Sequence, residues 1–226
     1  NTMMASLKGI PSDVIRYAMA VQHYLAHEQP VAAFNYLKQP EISTDAQKET
    51  LRYLERQYKK KPNQSFVTLQ QMFTADTSLT EGQAHDATKI SNFEAFDAVT
   101  KDVSNTACLQ ARLIYADSIF QKRSGGDGPA DAHVLNMGGK YAREAIEGYA
   151  TLGMVKECTE ALGKIRSTYG QLGGVDYIDW ALGYLSDPGV KSFTLARAVL
   201  HLSNKADPFE HLTLQQKELI LQNCTD

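Results

Sequence analysis

The stretch EGYATLGMVKECTEALGKI, from Glu147 to Ile165, contains two runs of helix-forming residues that meet at Gly153. Apolar side chains recur every three or four residues on both sides of the glycine, which is the spacing of an amphipathic helix. A glycine after such a run commonly ends a helix because it takes the left-handed backbone conformation without strain. The stretch therefore predicts a helical hairpin whose turn lies at Gly153.

Helix-start signals recur along the rest of the chain. A Ser or Thr followed three residues later by Glu or Gln is the capping-box pattern, in which the two side chains satisfy free backbone amides of the first turn. The pattern precedes apolar-periodic segments at Thr44–Gln47, Ser78–Glu81, Ser91–Glu94 and Thr213–Gln216. Ser12, which follows Pro11, is a further predicted N-cap.

The period of the apolar residues predicts the fold class. No segment alternates apolar and polar residues for long enough to indicate a strand. The nearest candidate is SFVTLQQMF, in which Leu69, Met72 and Phe73 have helical spacing. We therefore predict an all-α fold of about nine to eleven helices. They form stacked antiparallel helical hairpins, either as an α-solenoid-like array or as a compact bundle.

Length and composition predict a single domain. The chain has 226 residues, of which 43% are hydrophobic and 22% are charged, and this is typical of an ordinary globular protein. We predict one all-α domain over residues 1–226. The polar stretch 74–90 is the place where the chain could divide, and the glycine-rich stretch 124–132 is predicted to be a surface loop.

The charge and the cysteine content indicate which kinds of partner and which cellular compartment to expect. A formal net charge of −3 argues against general nucleic-acid binding. No apolar run approaches the roughly 18 residues that span a bilayer, and the first residues lack the apolar segment of a secretory signal. The cysteines are odd in number and far apart, which favours reduced thiols. We therefore expect a cytoplasmic protein in which Cys108 and Cys158 act as small hydrophobic residues.

The hairpin between Tyr141 and Tyr169 resembles a tetratricopeptide-type repeat. That helix-turn-helix unit has a large residue late in its first helix, a turn glycine, a small residue early in its second helix and a large residue one turn later. Those positions are occupied by Tyr149, Gly153, Cys158 and Leu162. The unit departs from the family at Ile146, where the family has a glycine, and at Gly170, where it has a proline.

A second stretch, YAMAVQHYLAHEQPVAAFNYLKQP, fits the same pattern. Tyr24, Ala33 and Leu37 occupy its large, small and large positions, and Glu28 stands in place of the turn glycine. The resemblance covers about a third of the chain and implies a helical scaffold that binds other proteins. The alternative is that any antiparallel helix pair needs small and large residues at such spacings.

His23 and His27 have a spacing that can bind a metal ion. Two histidines at i and i+4 on a helix can bind zinc, but the metalloprotease motif needs a glutamate where Tyr24 stands. No third ligand is specified by the sequence. We predict no metal site and interpret the pair as surface or packing histidines.

The sequence also lacks a complete catalytic or cofactor signature. NMGGKY resembles the end of a phosphate-binding loop, but Val134 stands at the position of the first glycine and Tyr141 at that of the Ser or Thr. No nucleophile elbow or kinase signature is present. We therefore assign no catalytic residue and no cofactor.

Two groups of residues are candidates for contact with a partner. Tyr177, Trp180 and Tyr184 share one helix face, and such aromatic residues dominate binding hot spots; the alternative is that they belong to the core. Arg56, Lys59 and Lys60 belong to the basic stretch RQYKKK. This stretch either stabilises a helix C-terminus through the helix dipole or contacts acidic groups.

These features predict a protein–protein interaction module whose partner is another protein and not a nucleic acid. Two alternative functions fit the same sequence. One is an enzyme of unrecognised type with a site between helices. The other is a module that binds lipid headgroups at a membrane surface through the basic stretch.

Overall fold

The computed structural model describes residues 11–76, 81–124, 132–172, 176–202 and 213–223. Within these ranges the chain forms twelve α-helices and one short 3-10 helix and has no strand. The predicted all-α class is confirmed, with more helices than we expected.

We number the α-helices in chain order. They are α1 Ser12–Ala26, α2 Pro30–Leu37, α3 Thr44–Tyr58, α4 Gln64–Asp76, α5 Glu81–Ala87, α6 Phe93–Thr100, α7 Thr106–Ser124, α8 Ala132–Thr151, α9 Val155–Tyr169, α10 Tyr177–Leu185, α11 Phe193–Leu202 and α12 Leu214–Gln222, and the 3-10 helix is Gly170–Leu172.

The helices group into two compact units. Unit 1 contains α1–α4 and α6 up to Val99, and unit 2 contains α5, Thr100 and α7–α12. Residues 77–80 of the predicted dividing stretch, and most of the predicted loop at 124–132, lie outside the described residues. The single domain stays a prediction.

Unit 1 is built on the hairpin of α1 and α2. Tyr36, near the end of α2, lies 6.4 Å from the Tyr17 ring near the start of α1, so the two helices run antiparallel. Helix α3 packs against α1, and α4 packs against α2. The apolar stripes of the hairpin form the core of this unit. They include Val14, Ala18, Val21, Leu25, Ala33, Phe34 and Leu37, all of which are buried.

Unit 2 is built on the hairpin of α8 and α9, the pair predicted from the opening stretch. The thiol sulfur of Cys158 lies 3.9 Å from the Ile146 carbonyl oxygen across the seam. A Cβ placed on Gly139, early in α8, would lie 3.6 Å from the hydroxyl of Tyr169 at the end of α9, which makes this pair antiparallel too. Helix α7 packs along α8, and α11 packs against α9.

Glycines in α8 allow the close approach of α7. A Cβ on Gly148 would overlap Cδ2 of Leu109, and one on Gly138 would lie 2.8 Å from Cε1 of Phe120. Real Cβ atoms essentially never come so close, so a side chain at either position would force Leu109 or Phe120 to move. Helix α8 starts at Ala132, well before the predicted start at Tyr141, and the rejected loop motif NMGGKY lies entirely within it.

Charged side chains join the helices of unit 2. Arg112 of α7 is buried; its Nε donates to the carbonyl of Thr100 at 2.9 Å, and its guanidinium pairs with Glu144 of α8. Lys164 of α9 forms an ion pair of 2.8 Å with buried Asp117 of α7. A buried charge needs such a partner because its desolvation is otherwise uncompensated.

The predicted helix starts are right in part. Thr213 and Gln216 form the predicted capping box. In α3 the prediction is wrong by one residue, because Ser43 and not Thr44 accepts the bond from the Ala46 amide. Helix α1 begins at Ser12, but its N-cap is Pro11 and no side chain caps it.

The N-cap of α6 is also wrong by one residue. Asn92 and not Ser91 accepts the hydrogen bond from the Ala95 amide at 3.0 Å. Asparagine caps as well as serine does, so neighbouring polar residues compete for the position. Ser78, of the remaining predicted box, lies outside the described residues.

Cys108 and Cys158 are both buried, at 3% and 0% exposure, which fits the predicted role of small hydrophobic residues. Burial raises the pKa of Cys158 to about 12, so the sulfur stays protonated near neutral pH and acts as a small apolar group. Cys224 lies outside the described residues.

Candidate functional site

Helix α10 is anchored at its first turn. The carboxylate of Asp176 accepts a hydrogen bond from the Ile178 amide at 2.9 Å, and Arg166 of α9 donates to the same side chain at 3.2 Å. An aspartate at the N-cap also favours the helix dipole. The start of α10 is thereby fixed to α9.

The three predicted aromatic residues of α10 form a ladder from the core to the surface. Tyr177 is 1% exposed, and its hydroxyl donates to the Gly139 carbonyl at 3.2 Å. The Trp180 ring lies 5.8 Å from Tyr177, and Tyr184 stacks on Trp180 at 5.6 Å with an interplanar angle of 28°. Tyr184 is 36% exposed. Tyr177 is thus a core residue, the alternative that the sequence left open, and it supports Trp180 and Tyr184; contact of a partner with these two stays a prediction.

Tyr184 opens onto a groove of about 430 Å³, which we call the aromatic groove. Its lining comes from the last turns of α8, the hairpin turn at Gly153, Tyr184 and residues 189–195. Phe193, at the start of α11, is 42% exposed and projects from this lining. The turn predicted from the opening stretch thus forms one wall of the groove.

Two charged residues line the aromatic groove. Glu147 of α8 and Lys191 of the α10–α11 loop both contribute to its surface. Partial burial raises the pKa of the Glu147 carboxyl; Arg143 opposes this shift and Glu144 adds to it. The groove therefore combines exposed rings with a partly desolvated carboxyl group.

The loop before Phe193 is fixed by one side chain of α12's C-terminal turn. Asn223 accepts a hydrogen bond from the Ser192 amide at 2.8 Å, and its amide nitrogen donates to the Leu219 carbonyl at 2.9 Å. Ser192 in turn caps α11 by accepting from the Leu195 amide at 3.2 Å. A second groove of about 450 Å³ lies beside Asn223, and Phe193 lines both grooves.

The predicted basic residues lie in unit 1. Arg56 and Lys59 line a groove of about 460 Å³ between the end of α3 and the start of α4, which we call the basic groove. Lys60 is exposed and follows Lys59 directly. The structure therefore places the six predicted contact residues in two units, with the aromatic ones in unit 2.

The paired histidines sit at the end of α1. Their ring centroids are 4.5 Å apart, and Nδ1 of His27 donates to the His23 carbonyl at 2.8 Å. Within the described part of the chain, no group of three or more His, Cys, Asp or Glu side chains is arranged to bind a metal ion.

None of the described helices has the length and apolarity to cross a membrane.

Phe193 is an exposed groove-lining residue that the sequence did not single out. A phenylalanine at the start of an apolar-periodic helix is typical of a core residue, whereas Phe193 is 42% exposed. The one available signal was its position directly after the cap, where a side chain lies at the helix end rather than along the buried stripe.

No known family model, curated protein or solved structure matches this chain. The tetratricopeptide resemblance therefore stays a prediction from the residues of the two hairpins.

Proposed function

We propose that this chain is a protein-interaction module that binds a segment of another protein in the aromatic groove. The observation that supports the proposal most is the concave surface bordered by exposed Tyr184 and Phe193. Exposed aromatic rings beside a recess are the usual anchors of protein interfaces, because they desolvate a large area at low conformational cost.

The ladder beneath Tyr184 supports the same proposal. Trp180 stacks on Tyr184, and Tyr177 holds Trp180 from the core through its bond to Gly139. The exposed ring is therefore held in place before a partner arrives. A preorganised anchor loses little rotamer freedom on binding, which favours affinity.

Glu147 and Lys191 give the groove polarity in addition to its rings. A partner segment with an apolar side chain between the rings and a donor facing Glu147 would satisfy the carboxyl group. Burying that carboxyl without a donor would cost free energy, so the pair selects among partners.

Affinity capture with matched variants tests the proposal. Tagged wild type, Tyr184→Ala and Phe193→Ala are compared by quantitative mass spectrometry of the proteins they retain from cells that express the chain. Leu214→Ala is the control, since Leu214 is 74% exposed on α12 and is not part of the groove lining. We expect both groove variants, and not the control, to lose one partner by about tenfold or more.

Trp180 provides an independent reading of the same event. It is the only tryptophan of the chain and stacks on Tyr184. Titration with the captured partner should change the fluorescence emission of Trp180 in the wild type and in the Leu214→Ala control. A partner that binds all variants equally, with no change in emission, contradicts the proposal.

A further inference from the structure

The basic groove of unit 1 has an apolar floor. The rings of Tyr58 and Phe66 lie 5.0 Å apart, and both residues line the groove. Val67, one position along α4, is 37% exposed in the same lining. Phe66 is only 3% exposed and supports the recess from below, so the Tyr58 ring and the Val67 side chain are what the recess offers to an apolar group of a ligand.

The rim of the basic groove is cationic. Arg56 and Lys59 line it, and Lys60 and Lys61 continue the same stretch. None of the four forms an ion pair with another described residue. Glu55 is the one carboxylate in the lining. Cations at a helix C-terminus suit its dipole, but that does not account for the apolar recess beside them.

We infer that the basic groove binds an acidic segment of another protein. One aromatic or aliphatic side chain of that segment would lie against Tyr58 and Val67, and flanking carboxylates would pair with Arg56 and Lys59. The inference rests on the proposed function as an interaction module, but it concerns a different surface and adds the charge of the partner.

The shape of the groove favours a peptide over a membrane surface. A bilayer presents a broad anionic plane, and binding to it normally uses a cluster of some four to eight exposed cations. Here the apolar residues lie in a recess that a plane cannot enter, and Glu55 stands on the rim. A peptide side chain can enter the recess while its carboxylates reach the cations.

Fluorescence anisotropy of labelled peptides tests the inference. The probe is a short peptide in which glutamates flank one central phenylalanine; one matched probe has glutamine for glutamate, and another has alanine for phenylalanine. The proteins are the full chain, the double variant Lys59→Glu with Arg56→Glu, and Val67→Asp. Lys48→Glu is the control because Lys48 is exposed on α3 outside the groove. Vesicles of phosphatidylcholine with phosphatidylserine form the second arm.

We expect the acidic phenylalanine peptide to bind the full chain and the Lys48→Glu control about tenfold or more tightly than it binds the double variant. The two matched peptides should bind the full chain more weakly than the acidic phenylalanine peptide does. That peptide should also bind the Val67→Asp variant more weakly than the full chain. Equal affinity for the double variant and the control would overturn the inference. So would vesicle binding that depends on Arg56 and Lys59 without peptide binding, since that indicates a membrane surface. Tyr184→Ala should leave peptide affinity unchanged, which separates this result from failure of the aromatic groove.

Discussion

Glu28 and Gly153 have the same left-handed backbone conformation, with φ angles of 57° and 73°, at the turns of two helical hairpins. In each turn the amide of the residue that follows bonds to the carbonyl five residues back, Gln29 to Tyr24 and Met154 to Tyr149. The turn residue itself bonds to the carbonyl three residues back in both hairpins. This is the Schellman arrangement that ends many helices. It occurs at the two residues that occupy the turn position of the tetratricopeptide-type pattern.

The first prediction concerns these two turn residues. A side chain in the left-handed region is strained by about 1 kcal/mol, so Gly153→Ala should lower the free energy of unfolding by about that much. Glu28→Gly should raise it by up to about 1 kcal/mol, with part of the gain offset by the freedom of glycine in the unfolded chain. Urea unfolding followed by circular dichroism measures both changes.

Gly170→Ala is the matched control for Gly153→Ala. A Cβ at either position would meet no atom within 4 Å, but Gly170 has a φ of −58°. Its replacement should therefore leave stability unchanged or slightly higher. Equal losses at Gly153 and Gly170 would show that backbone strain is not the cause.

The second prediction concerns the seam between α7 and α8. Gly148→Ala should cost roughly 1–3 kcal/mol, because the new methyl group would overlap buried Leu109 and force it to move. Gly183→Ala, at an open position in α10, should instead stabilise by up to about 1 kcal/mol through helix propensity. A Gly148→Ala protein as stable as its Gly183→Ala counterpart would contradict the close packing.

Helix type and hairpin turns could be predicted from the sequence because they depend on local signals. Thr213 with Gln216 formed the predicted box, and Gly153 formed the predicted turn. The role of Gly148 could not be predicted, since it depends on Leu109, a residue of another helix that nothing in the local pattern identifies. Which of two adjacent candidates, such as Ser91 and Asn92, becomes the N-cap depends on where the chain bends into the helix. Tertiary packing determines that position.

The third prediction concerns the volume at Cys158. The residue is fully buried between α8 and α9, so Cys158→Leu should overpack the seam and cost roughly 1–3 kcal/mol. Cys158→Ala should be tolerated with a smaller loss, because little volume is removed and one small buried apolar group replaces another. Denaturant unfolding of the two variants gives the comparison. A leucine variant of parental stability would refute the tight seam.

The fourth prediction is a loss of stability at alkaline pH. Burial raises the pKa of Cys158 from its ordinary 9.0, and that of Tyr149 from 10.0, to about 12. Between the ordinary and the raised values the unfolded chain releases these protons while the folded chain keeps them. The free energy of unfolding should therefore fall as the pH rises from about 9 towards 12.

Cys158→Ala isolates the contribution of the thiol to this effect. Its stability should decline less steeply with pH than that of the parent over the same window, measured by urea unfolding at each pH. Identical slopes for both proteins would mean that the thiol is accessible to solvent in the folded chain.

The candidate site was only partly predictable for a similar reason. Tyr184 and Trp180 were found because they share one helix and a recognisable spacing. Phe193 and Glu147 join them only through the packing of α8, α10 and α11. Spacing along one helix reports which residues share a face, but it does not report which face remains uncovered, as buried Tyr177 shows.

The most direct test of partner binding in the aromatic groove is site-specific photo-crosslinking in cells. A benzophenone side chain replaces Phe193 in one protein and Met19, which is 66% exposed in unit 1, in the other. We expect position 193 to give one discrete adduct with another protein, which position 19 does not give and which Tyr184→Ala diminishes. Identical adducts from both positions, or an adduct at 193 that Tyr184→Ala leaves unchanged, would contradict binding in this groove.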